Sequence, residues 1–136
     1  MSDLQCPATF LVLADEPLGA DEHQLGRVAG ELRGRRVAKV LASPSMPQLE
    51  RAARIAERLG VTYEPAPGLD EGGLFRRAVE DAADLYRGEA VLLVAPAEVV
   101  RIALGLAAAP APGEVVELQV DGDGWLVRHG ESGEKP

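Results

Sequence analysis

Cysteine is nearly absent from this chain: Cys6 is the single instance in 136 residues. No internal disulfide can form, and one thiol cannot build a metal framework. Aromatic side chains make up only 4% of the sequence, so Ala, Val and Leu must build most of any interior. Positive charge is in deficit, with 14 Lys and Arg against 22 Asp and Glu and a formal net charge of −8. That balance excludes electrostatic attraction to nucleic-acid phosphates or an anionic membrane. No apolar run approaches about 18 residues, and no basic segment leads into a short apolar one. A transmembrane helix and a signal peptide are therefore not expected, and the chain reads as cytoplasmic. What is present suits one domain over residues 8–129, with a 46% hydrophobic fraction that can fill a single core. Residues 1–7 and 130–136 are expected to be flexible termini.

The chain alternates between two periodicities. ATFLVLA (8–14) is a short apolar run of strand type. Asp21 then offers a helix N-cap with Gln24 three residues on, and Leu25, Val28, Ala29 and Leu32 form one helical stripe closed by Gly34. RVAKVLA (36–42) predicts a second strand. Ser45 with Gln48 predicts a capped helix whose Leu49, Ala52, Ile55, Ala56 and Leu59 face inward, ended by Gly60. VTYEP (61–65) is a short third strand. Leu74, Phe75, Ala78, Val79, Ala82, Leu85 and Tyr86 mark a third helix stopped by Gly88. EAVLLVA (89–95) is the most apolar strand, which places it centrally with both faces covered. Pro96 suits the first turn of a fourth helix running to about Ala108. The AAAPAPG linker (107–113) precedes EVVELQV (114–120) and GWLVRHG (124–130), joined through Asp-Gly-Asp-Gly as a hairpin. Strands alternating with helices imply a mostly parallel sheet with helices on both faces, a three-layer αβα sandwich.

In order and spacing, these segments resemble the histidine phosphatase (phosphoglycerate mutase-like) superfamily across nearly the whole chain. ASPSMPQLERAARIAERLG (42–60) lies without gaps on that family's second strand and helix. FLVLADE (10–16) lies where the family opens with Leu-Val-Arg-His-Gly-Glu, and LGRVAGEL (25–32) lies on its first helix. VLLVAPAEVVRIAL (91–104) lies on the strand and helix that carry its second histidine. VDGDGWLVRHG (120–130) lies on its final hairpin. The resemblance implies a six-stranded sheet of order 3-2-4-1-5-6, with the active site at the ends of strands one, two and four.

The chemistry that the resemblance implies is missing from its positions. Family enzymes use a histidine nucleophile for the phosphoryl group, with two arginines and a second histidine holding its oxygens. A transferring phosphoryl group needs that cationic clamp. Here the first arginine falls on Leu13, the nucleophile on Ala14, the second arginine on Pro47 and the second histidine on Pro96. Only the proton-donating carboxylate has a candidate, Glu71 in LDEG (69–72). A carboxylate alone replaces neither the nucleophile nor the clamp.

One stretch looks like a displaced copy of the missing motif: LVRHGES, Leu126 to Ser132. In the implied sheet, the sixth strand lies two positions from the first, so His129 falls roughly 10 Å to the side of the old nucleophile. The slot it would need is already filled by FLVLA. A site shared across a dimer and a permuted chain are the other readings of this motif. We read it as coincidence on an ordinary final strand.

The same sheet edge does carry carboxylates and hydroxyls: Asp15, Glu16, Ser43, Ser45, Glu71 and Glu98. Together they form the candidate pocket lining, and Asp15, Glu71 and Glu98 are the candidate ligands for a hard cation. The alternative reading is that Ser45 and Glu98 serve helix N-termini while Asp15 and Glu16 belong to a solvated loop. His23 reads as a surface residue of the first helix, and Cys6 has no base at useful spacing. Trp125 reads as an anchor for the hairpin, and Arg76 and Arg77 pair with Glu80 and Asp81 along a helix surface. The expected function is a catalytically inactive superfamily member, a pseudoenzyme acting as a binding or regulatory module with no cofactor. Its partner is a protein or small ligand, not nucleic acid or membrane. Two alternatives stand beside it: a repurposed enzyme with an acidic, divalent-cation-dependent site, and a structural subunit of an oligomer such as a homodimer.

Overall fold

The computed structural model describes residues 7–15, 22–108, 110, 114–121 and 124–129. The side chains of Asp15, Glu22, His23, Gln24, Met46, Pro47 and His129 are not among what it describes. Among the described residues, six strands and four helices alternate as expected. They are β1 (Ala8–Asp15), α1 (Glu22–Arg33), β2 (Val37–Ala42), α2 (Met46–Leu59), β3 (Tyr63–Pro65) and α3 (Gly72–Leu85), followed by β4 (Ala90–Pro96), α4 (Ala97–Leu104), β5 (Val115–Asp121) and β6 (Gly124–His129). The sheet order is β3-β2-β4-β1-β5-β6. Strands β3, β2, β4 and β1 are mutually parallel, and β5 and β6 add an antiparallel pair at one side.

Alternation along the central strands builds two cores. On β1, Phe10, Val12 and Ala14 face one side with Val91, Leu93 and Ala95 of β4, against Phe75 and Val79 of α3 and Ala97 and Val100 of α4. Leu11 and Leu13 face the other side with Leu92 and Val94, against Leu25, Val28 and Leu32 of α1 and Ala52, Ile55 and Ala56 of α2. Because both faces of β1 and β4 are covered, their sequences are continuously apolar rather than alternating. This is the three-layer αβα arrangement expected from the sequence.

Several local readings need correction. The stripe assigned to α3 was too wide: Leu74 and Leu85 are 49% and 78% exposed, while Ala83, not in that stripe, is buried. Helix α3 ends at Leu85 with Tyr86 as its cap, before Gly88 is reached. Helix α4 stops at Leu104, not near Ala108, because Gly105 adopts a left-handed φ of 70° and returns its N–H to Arg101 and Ile102. Pro96 is not inside that helix either. It is the last residue of β4 and the N-cap of α4, in an extended conformation. Ser45 is the N-cap of α2 by position but makes no side-chain capping bond. Outside the described residues fall Cys6, Glu16, Asp21, both ends expected to be flexible apart from Pro7, most of the 107–113 linker, and the two central residues of the hairpin turn.

Candidate functional site

Three junctions meet at the carboxyl end of the parallel strands. Strand β4 lies between β1 and β2, and the registers set Ala14 beside Ala95, Asp15 beside Pro96 and Ala42 beside Val94. The backbone of Ser43 extends that pairing by donating its N–H to the Val94 carbonyl at 3.0 Å. From these strand ends the chain turns into α2 at Met46 and into α4 at Ala97. The end of β1 and the starts of α2 and α4 therefore converge, as the resemblance implies. Two helix N-termini open there, and unpaired N–H groups with the helix dipole favour negative charge at such ends.

The chemistry at that convergence is apolar. Ala14 is 1% exposed and Leu13 3% exposed, each within a hydrophobic core. The cluster that holds Ala14 also includes Leu69, Ala95 and Ala97. Pro47 falls in the first turn of α2, where a missing N–H removes no helical hydrogen bond. Pro96 has φ −60° at the N-cap of α4, a value its ring imposes anyway. Both prolines thus suit their backbone positions, and neither offers a donor to an anion.

The polar candidates do not form one constellation. Ser43 is fully buried, and its hydroxyl donates to Gln48 Oε1 at 3.3 Å. That bond occupies the glutamine expected to help cap α2, and it turns Ser43 into an internal staple between β2 and α2. Glu71 is exposed at the N-cap of α3 and makes no side-chain capping bond. Glu98 sits in the first turn of α4, where its carboxylate is gripped by Arg101, with Nη2 to Oε2 at 2.6 Å. Hydrogen bonds from Arg101 hold the Glu98 carboxyl below its ordinary value, against a smaller opposing effect of desolvation. Among the described residues no group of three His, Cys, Asp or Glu is placed to hold a metal ion. Asp15 has a described backbone only, and Glu16 lies outside the described residues.

The C-terminal Arg-His pair is far from this point in the sheet. His129 pairs with Val116, and Val116 pairs with Val12. The backbone of His129 is thus two strands to the side and at the level of Val12, two residues short of Ala14. Arg128 pairs with Glu117 across the hairpin. Trp125 packs partly buried against the Phe75 core, with the Arg76 guanidinium 4.1 Å from its ring centroid. Arg76 also pairs with Glu80 at 3.5 Å, the expected i,i+4 contact. The sequence reading missed this cation–π contact, because nothing local brings residues 76 and 125 together.

Comparison with solved structures identifies the architecture. The fold is similar to that of Bacillus stearothermophilus YhfR, with 15% identity, a TM-score of 0.74, and coverage of 95% of this chain and 98% of that one. A mycobacterial glucosyl-3-phosphoglycerate phosphatase in complex with VO3 has 13% identity and a TM-score of 0.71, over 94% of this chain and 100% of that one. A phosphoglycerate mutase from Plasmodium falciparum has 14% identity and a TM-score of 0.60, over 96% and 95%. No family model matches the chain, and no curated protein matches it in sequence. The fold is phosphoglycerate mutase-like.

Proposed function

We propose that this chain is a catalytically inactive protein of phosphoglycerate mutase-like fold, acting as a binding or regulatory module. The observation that carries the reading is the burial of Ala14 in the hydrophobic core at the end of β1. A nucleophile must reach its substrate, and an alanine buried within this core cluster has neither the group nor the access. Prolines at the starts of α2 and α4 remove the remaining clamp positions. The phosphate chemistry named for the similar proteins is accordingly not carried over to this chain. The cation-dependent alternative has less support, since the Glu98 carboxylate is already engaged by Arg101.

The direct test incubates the purified chain with p-nitrophenyl phosphate and assays phosphohistidine by phosphorus NMR. Neither turnover above background nor a phosphorylated histidine is expected. Turnover that disappears on His129→Ala would overturn both this proposal and the reading of the C-terminal motif.

A further inference from the structure

The antiparallel hairpin carries the sheet past its helical cover. On the side of α1 and α2, β5 and β6 present Val115, Glu117, Gln119, Leu126 and Arg128, all half-buried or exposed. Between this surface and α1 lies a groove of about 350 Å³. Its volume is within the range of small-ligand pockets, about 300–1,000 Å³. Val115 is its half-buried apolar residue, with Leu11 and Leu32 buried beneath the floor, while Glu31, Arg35, Glu117 and Arg128 supply its charge. Arg35, in the turn after α1, reaches across to Glu117 on β5 at 2.9 Å and ties the two walls together. The second oxygen of Glu117 accepts from Gln119 Nε2 at 3.3 Å.

That leaves one charge of each sign. Glu31 stands on the helical wall and Arg128 on the strand wall, and neither has an ion-pair or hydrogen-bond partner among the described residues. The lining is electrically balanced, two arginines against two glutamates, on a chain whose net charge is −8. A phosphate ester would meet both glutamates, and a simple cation both arginines. A molecule with one positive and one negative end joined by an apolar body meets neither penalty.

We propose that the groove between α1 and the β5–β6 hairpin binds a short zwitterionic peptide with apolar side chains. Its ammonium lies toward Glu31, its carboxylate toward Arg128, and its side chains lie over Val115. The site is separate from the carboxyl end of the parallel strands and does not depend on whether that end carries chemistry.

Leucyl-leucine is the probe, titrated into the full chain and followed by amide chemical shifts and calorimetry. Saturable binding in about the millimolar range is expected, the strength of two exposed charge contacts and a small apolar area. Shifts should centre on residues 31–35, 115–117 and 128. Glu31→Gln and Arg128→Gln should each weaken binding by about three- to five-fold, with melting temperature unchanged because both side chains are exposed. N-acetyl-leucyl-leucinamide, which lacks both charges, should bind the unaltered chain more weakly than leucyl-leucine, which tests the same contacts without mutation. No saturable binding at about 10 mM dipeptide, affinity unchanged in both variants, or equal affinity for the uncharged peptide would each overturn the proposal.

Discussion

Placing a histidine at position 14 tests whether the end of β1 is interior. Ala14 is 1% exposed, paired with Ala95, and enclosed by a cluster that includes Leu69 and Ala97. Read from the sequence, Ala14→His is expected to fold normally and merely lack activity; the burial of this position revises the first half of that expectation. The imidazole ring has to enter a space already filled, and such overpacking costs about 1–3 kcal/mol. Its ring nitrogens have to be buried among apolar groups, adding about 1–3 kcal/mol if they go unpaired. The combined loss of about 2–6 kcal/mol compares with a total stability of about 5–15 kcal/mol for a typical domain. The expected fall in melting temperature is at least about 6 °C for a chain of this size. A sign follows for pH. Burial lowers the imidazole pKa in the folded state below its unfolded value of about 6.5. The unfolded chain then binds more protons, so the deficit of the variant grows as pH falls below about 6.5 and levels out above it. Thermal melts of parent and variant at several pH values, with p-nitrophenyl phosphate assays alongside, measure all of this. A variant that melts with the parent would refute the reasoning about burial, and one that turns over substrate would refute the proposed inactivity.

Other outcomes follow from single residues. Gly68 holds a φ of 103°, and a Cβ there would meet the Leu74 carbonyl at 3.2 Å; Gly68→Ala should destabilise by about 1–3 kcal/mol in urea unfolding, because strain and crowding act together. Leu69, next along this turn, is buried in the same cluster as Ala14. Glu98→Gln removes a carboxylate whose pKa is lowered from 4.5 by Arg101. Its contribution is fully present above the unfolded pKa and lost as pH falls through the lowered folded value, so parent and variant should differ in melting temperature at neutral pH and converge in acid.

Strand positions and topology were legible because they follow from local rules. Period-two alternation, Gly and Pro punctuation, and continuous apolar runs marked β1 and β4 as central, and the resemblance implied a strand order that the registers bear out. The end of the helix after β4 was not legible. An alanine-rich continuation has good helical propensity, yet Gly105 in a left-handed conformation ends α4 four residues after Arg101. Leu85 was misassigned for a related reason: helical periodicity identifies a face, but only neighbouring elements decide how wide the covered face is. Ser43 and Gln48 illustrate the same limit for polar groups. In the sequence Ser43 reads as pocket lining and Gln48 as a capping partner, and only the packing of α2 on β2 makes them a buried pair.

The sequence alone determined that Leu13, Ala14, Pro47 and Pro96, the positions to which the resemblance would assign a nucleophile and phosphate clamp, lack the required groups in any fold. Tertiary structure decided what surrounds them. Ala14 is interior because α3 and α4 cover one face of β1, and Glu98 is engaged because Arg101 lies one helical turn further along α4. The groove beside Glu31 and Arg128 has no counterpart in the linear pattern at all. Those residues lie 97 positions apart in a chain of this numbering, and they line one space because β5 pairs antiparallel with β1 and carries β6 beyond the helical layer. Chemical identity belongs to each residue singly, whereas enclosure and proximity are properties of the neighbours that folding supplies.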